Sequence, residues 1–315
     1  MFDAESFRLV NAWQRGFPLA PRPFAAIARA SGFDEGETIA RFAQLKSRGL
    51  IDRIGPVFRP NTVGASTLAA MSVPAERIEG VAQQVSAHPG VNHNYEREHA
   101  INLWFVATAP SAAALQNVLG AIEEETGLAV LRLPLTEEFH IDLGFDLEDH
   151  SVPRTAGAAP VAPLPEAERA LAARLTAGLP LVPRPYAAFG VPETDLIAAL
   201  ERWLATGIVR RIGAVVRHRP LGYEANAMVV WDAPDAEASD AGRRLAADPA
   251  VTLAYRRARA LPAWPYNLYC MVHGRERAAV TQSIERLSAQ HGVSGYPRAI
   301  LFSQRCFSQR AAHYA

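Results

Sequence analysis

The chain has 315 residues, 49% hydrophobic and 20% charged, which excludes wholesale disorder and is long enough for two or three domains. Lys plus Arg, 32, equals Asp plus Glu, 32, so no overall field draws it to nucleic acid or membrane, and an anionic ligand must be held by a local basic site. The N-terminal MFDAESFRLVNAW is amphipathic rather than signal-like, and no apolar run approaches the roughly 20 residues that span a bilayer. Cys270 and Cys306 lie in separate apolar stretches with neither metal-ligand nor disulfide spacing, which fits a reducing cytoplasm.

In chain order, residues 5–16 and 22–31 read as short helices, divided by a PLAPRP turn that no helix can cross. In FDEGETIARFAQLKSRGLI, Asp34 is a helix N-cap, Ile39, Phe42 and Leu45 recur at helical spacing, and Gly49 closes the helix. Ile51 to Arg59 and the following turn predict a two-stranded wing, with the glycine of RIG permitting its turn, so the first 62 residues read as a winged helix-turn-helix. Then come a strand (STLAAMSVP), a helix (AERIEGVAQQVSAHP), two strands (VNHNYERE and INLWFVATA), a helix (SAAALQNVLGAIEEETG) and a long strand (AVLRLPLTEEFHIDL). That order is βαββαβ, a ferredoxin-like sandwich of α+β class with helices on one face.

The chain then repeats itself. GFPLAPRPFAAIA at 16–28 returns as GLPLVPRPYAAFG at 178–190, and DRIGPVFRPNTVG at 52–64 as RRIGAVVRHRPLG at 210–222. HPGVNHNYER at 88–97 is answered by DPAVTLAYRR at 248–257, and INLWF at 101–105 by YNLYC at 266–270. Matches in one order mean a duplication, with the Pro-, Ala- and Gly-rich segment 148–165 as linker. The expected domains are winged helices at 1–62 and 166–221 and sandwiches at 63–147 and 222–315. Open sheet faces of this kind stack, so the halves are expected to form an intramolecular pseudo-dimer, with a further homodimer open.

The predicted third helices carry acids where base edges would be met, Glu35 and Glu37 in one copy and Glu193 and Asp195 in the other, a poor surface for DNA. Charge and aromatics collect instead on the middle strands of the sandwiches. Alternation puts His93, Tyr95 and Arg97, and His99 if the strand stays regular, on one face. The matching stretch YRRARALPAWPYNLY supplies Tyr255, Arg256, Arg257, Arg259, Trp264 and Tyr266, with His273 beyond it. Arginine forks and flat aromatic walls together suggest a large planar ligand with several carboxylates. Bland alternatives stand beside this: a surface histidine for His93, core tyrosines for Tyr95 and Tyr255, core packing for Trp104, and a helix cap for His273.

A winged helix followed by a ferredoxin-like domain resembles the Lrp/AsnC regulators in both halves. The motifs HNYxRxHxxNLWF and YRRxRxxPxWPYNLYxMxHG are more specific, and essentially the whole chain resembles the siroheme decarboxylase family, as a fusion of its D-type and L-type subunits used in heme d1 biosynthesis. The resemblance implies a cytoplasmic carboxy-lyase that removes the acetate carboxylates on rings C and D of siroheme to give 12,18-didecarboxysiroheme. It implies no added cofactor, the iron arriving with the substrate, and siroheme and other iron tetrapyrroles as partners, with no DNA and no membrane. It points to His99 and His93 for catalysis. The residues themselves suggest Tyr95, Arg97, Tyr255, Arg256, Arg257, Arg259, Trp264 and His273 for substrate binding. The rival reading is a transcription regulator that senses a tetrapyrrole or amino acid.

Overall fold

The computed structural model describes residues 3–141, 144, 146–147, 161–217 and 219–314; the predicted linker falls largely outside them. In chain order the first half contains α1 (Ala4–Ala12), α2 (Pro23–Ser31), α3 (Glu35–Ser47), β1 (Ile51–Phe58), β2 (Ala65–Met71), α4 (Ile78–Ala87), β3 (Val91–Arg97), β4 (Leu103–Ala109), α5 (Ala112–Thr126), β5 (Leu131–Leu133) and β6 (Leu135–Ile141). The second contains α6 (Glu166–Leu175), α7 (Glu193–Ala205), β7 (Val209–Val216), β8 (Ala225–Trp231), α8 (Asp235–Ala246), β9 (Val251–Arg257), β10 (Leu268–Gly274), α9 (Arg277–Gln290) and β11 (Arg298–Gln309). The copy of α2 is a short 3₁₀ turn, Pro185–Phe189. These elements form two compact units, one uniting the segments 1–63 and 160–221, the other 64–159 and 222–314.

In the first unit Asp3 and Asp34 cap α1 and α3 by accepting backbone N–H groups of Ser6 and Glu37. The expected wing differs in kind. Among the described residues β1 has no hairpin partner of its own; it pairs antiparallel with β7 of the other copy, Gly55 opposite Gly213. The RIG glycines therefore do not make a turn. A Cβ on Gly213 would strike the backbone of Trp13 and Gln14, and one on Gly55 would press on Gly178, because the segments after α1 and α6 cross the strands there. Hydrogen bonds Ala214 N to Trp13 O, 2.8 Å, and Leu179 N to Ile54 O, 2.7 Å, seal both crossings.

The second unit holds one nine-stranded sheet, ordered β5-β2-β4-β3-β11-β8-β10-β9-β6. Each half supplies the order expected of βαββαβ, but its last strand continues onto the other half: β11 runs along β8 and then β3, while β5 lies on β2 and β6 on β9. The long predicted strand at 129–143 breaks at Pro134, whose missing N–H ends the pairing with β2. The halves thus join edge to edge, where stacked faces alone were expected, because β3 and β9 present edges whose backbone groups need partners. Helices α4 and α5 cover one core (Val81, Val85, Leu103, Phe105, Leu119, Ile122) and α8 and α9 another (Val229, Trp231, Leu245, Leu268, Ile284, Leu287). The faces turned away from the helices meet in a third cluster that mixes the halves, Leu68, Trp104 and Leu133 with Met228, Tyr255, Trp264, Tyr269 and Leu301.

Candidate active site

Alternation along β3 separates two environments. Asn94 points at α4, its amide donating to Ala82 O at 3.1 Å, and Glu96 binds Arg305. Tyr95 and Arg97 take the other face, the guanidinium 5.6 Å from the tyrosine ring, and the His93 ring lies nearly parallel to Tyr95 at 6.4 Å. On β9 the same rule puts Tyr255 and Arg257 together, 4.6 Å apart.

The two arginines repeat each other closely. Arg97 donates from Nη1 to Leu301 O, 3.1 Å, on β11 of the second half; Arg257 donates from Nη1 to Leu133 O, 2.7 Å, on β5 of the first. Arg97 is only 7% exposed, and among the described residues no carboxylate pairs with it. Burial draws its guanidinium below the ordinary value, with Tyr255 and Tyr95 opposing the shift. Arg257 leaves Nε buried without a hydrogen-bond partner. A buried cation with no counter-charge is costly by several kcal/mol unless an anion joins it, so Arg97 has the electrostatics to take up an anionic group.

His99 lies beyond the end of β3, in the turn to β4, so the strand does not continue regularly through it. Its Nδ1 accepts the Ile101 N–H at 2.9 Å, which assigns the Nε2–H tautomer, and burial lowers its pKa. The imidazole meets the edge of Trp264 at 5.3 Å; Trp264 in turn contacts Trp104 at 4.9 Å and Tyr266 at 4.8 Å, and its indole N–H donates to the Tyr269 hydroxyl at 2.7 Å. Tyr269 stacks on Tyr255 at 5.4 Å, and burial pushes its hydroxyl pKa up. His273 is held through Nδ1, which shares a hydrogen bond with the Thr252 hydroxyl at 2.8 Å, while the same hydroxyl lies 3.1 Å from Met271 O. Burial first and Arg97 second lower His273 to about 4.

The structure thus brings His93, Tyr95, Arg97 and His99 of one half together with Tyr255, Arg257, Trp264 and His273 of the other. It does not bring Arg256 or Arg259 to them. Arg256 points the other way and pairs with Asp235; Arg259 pairs with Asp232 and Asp235 at 2.8 Å and donates to Pro265 O and Ala233 O, which staples the loop carrying Trp264. Both are corrected from carboxylate binders to framework ion pairs, because acids upstream of β9 already satisfy them. Tyr269 and Thr252 escaped notice in the sequence. Tyr269 was legible as the duplicate of Trp104, whereas nothing local marks Thr252.

Residues 63–140 and 220–308 match the AsnC-like ligand binding domain, and residues 7–51 match the siroheme decarboxylase NirDL-like HTH domain. The chain is 47% identical to the siroheme decarboxylase NirDL subunit of Paracoccus denitrificans, over 99% of this chain and 98% of that one. It is 32% identical to a siroheme decarboxylase of Hydrogenobacter thermophilus, over 98% and 94% of the two chains. A crystal structure of the siroheme decarboxylase NirDL in co-complex with an iron-uroporphyrin III analogue superposes with a TM-score of 0.67 at 28% identity, covering 99% of this chain and 94% of that one. Fold, duplication and full-length identity agree: the chain belongs to the siroheme decarboxylase family.

Proposed function

We propose that the protein is a siroheme decarboxylase of heme d1 biosynthesis, converting the acetate side chains on rings C and D to methyls and yielding 12,18-didecarboxysiroheme. The observation that carries the reading is Arg97, a buried cation lacking a carboxylate partner within a face of aromatics, in a chain whose full-length relatives bear this activity. The relative co-crystallised with an iron-uroporphyrin analogue supports a tetrapyrrole as ligand. For each acetate the bond from methylene to carboxylate breaks, CO₂ leaves, the electron pair stays on the methylene carbon beside the pyrrole, and one proton completes the methyl.

In this reading Arg97 and Arg257 hold substrate carboxylates by charge-assisted hydrogen bonds, and Trp264 with the tyrosines walls the macrocycle. His99, in its Nε2–H form, donates a hydrogen bond toward the reacting group. His273, held at Nδ1 by Thr252, takes up a proton, and an anionic substrate favours that uptake. His93 supports the Tyr95 ring. The reaction draws on no added cofactor, the iron belonging to the substrate. DNA binding is not expected of the helical unit in this reading, because α3 and α7 open on acids, Glu35 and Glu37 in one and Glu193 and Asp195 in the other, a poor surface for a polyanion.

Incubating the pure protein with siroheme under anaerobic, reducing conditions is expected to yield, by mass spectrometry, loss of two CO₂; siroheme recovered unchanged would sink the proposal. Arg97→Met, run beside it, is expected to lose about 100-fold in kcat/KM while keeping or raising Tm, since it removes a charge the ligand-free fold must bury.

A further inference from the structure

We propose that the ion pair between Glu98 and Arg277 is a clamp that positions the His99 turn and acts on turnover rather than on folding. The inference rests on the decarboxylase reading for its link to catalysis, but its geometry stands independently of it.

The turn from β3 to β4 is held by anchors of two kinds. Some recur in both halves and belong to the fold. Arg97 donates to Leu301 O as Arg257 does to Leu133 O, and Glu98 N donates to Phe302 O as Ala258 N does to Pro134 O, both at 3.0 Å. Asn102 brackets Val73 just as Asn267 brackets Ala233.

Besides the hydrogen bonds Ser72 Oγ to Ala100 O, 2.8 Å, and Trp104 Nε1 to Ile101 O, 2.7 Å, this turn has one ion-pair anchor without a counterpart. The Glu98 carboxylate receives both terminal nitrogens of Arg277, at 2.5 and 2.6 Å. Arg277 opens α9, and its guanidinium lies 3.9 Å over the Phe302 ring. At the duplicate position Ala258 has no carboxylate to offer. The clamp therefore exists only on the turn that carries His99, whose duplicate is Arg259.

The consequence for His99 is direct. Its tautomer and aim depend on the bond from Ile101 N–H to Nδ1 inside the same turn, and a turn that frays loses both. Folding gains little from the clamp, because the two side chains are 35% and 57% exposed and solvent screens such pairs.

The test compares wild type, Glu98→Gln, Arg277→Gln and the charge-exchanged Glu98→Arg/Arg277→Glu by hydrogen exchange at the Ile101 amide, siroheme turnover and Tm. Each single variant is expected to exchange the Ile101 amide about tenfold faster and to lose about tenfold in kcat, with KM within about twofold and Tm nearly unchanged; the exchanged pair recovers most of both. Unaltered Ile101 exchange or unaltered kcat in the single variants overturns the clamp, and so does an equal loss in the exchanged pair. Wild-type protein that leaves siroheme intact overturns the decarboxylase reading instead, while the exchange measurement still decides the geometry.

Discussion

Arg97 and Arg257 are duplicates with the same tyrosine and the same kind of carbonyl partner, yet they do not face the same chemistry. Arg97 acts electrostatically on His273. The duplicate of His273 in the first half is Thr108, whose hydroxyl is already tied to Gly90 O and His313 O. Arg97 thus has a histidine as a titratable neighbour where Arg257 has the tyrosines Tyr255 and Tyr269, so in the proposed reaction the pairing of Arg97 with His273 is the one suited to proton uptake. That pairing has a signature in stability. His273 titrates near 4 in the fold and at about 6.5 in an unfolded chain. Between those values the unfolded state binds a proton that the folded state refuses, so the contribution is full above about 6.5 and is lost as pH falls toward 4. Thermal melts of ligand-free protein from pH 7 to 4 are expected to show a steep fall in Tm that His273→Gln flattens; parallel curves would remove His273 from the account. The misplacement of Arg256 and Arg259 in the sequence reading also belongs to this scale. Alternation tells which face a side chain takes, but not that Asp232 and Asp235 arrive from the end of β8 and the start of α8 to neutralise it.

Most elements were legible because their signals are local. The capping aspartates, the helical spacing in α3 and the alternation in β3 each depend on neighbours a few residues away, and the structure follows them. What failed was the inference from RIG to a hairpin wing. A glycine signals either a turn or a close approach, and here it is the approach of Gly178 and of the Trp13–Gln14 backbone, which no local pattern announces. Gly242 shows the same ambiguity inside a helix. It interrupts α8 at a cost in helix propensity, and a Cβ there would overlap the ring of Phe139, delivered by the crossing strand β6. Gly242→Ala is therefore expected to destabilise by about 1–3 kcal/mol despite alanine's better propensity, read as a lowered midpoint in urea denaturation. A stabilised variant would show that β6 does not seat Phe139 on that helix.

For the molecule as a whole, the recurring device is exchange between halves: β1 with β7 in one unit, β11 with β3 and β6 with β9 in the other. Neither half could close its own sheet edges, so the covalent link matters less than the pairing. Chain cut within 148–160 by an inserted protease site is expected to stay associated on size-exclusion chromatography and to keep wild-type turnover; fragments that separate under native conditions would contradict the pairing. The sequence by itself determined the duplication, the α+β class and the family resemblance, and it pointed to the stretches that carry the candidate histidines, arginines and aromatics, since repeats, periodicities and motifs are properties of order along the chain. Only the tertiary structure decided which arginines are uncompensated, which groups hold His99 and His273 and which edges the halves share. The shared edges and the seats of the two site arginines depend on partners brought from more than a hundred residues away, as Leu301 is to Arg97 and Leu133 to Arg257.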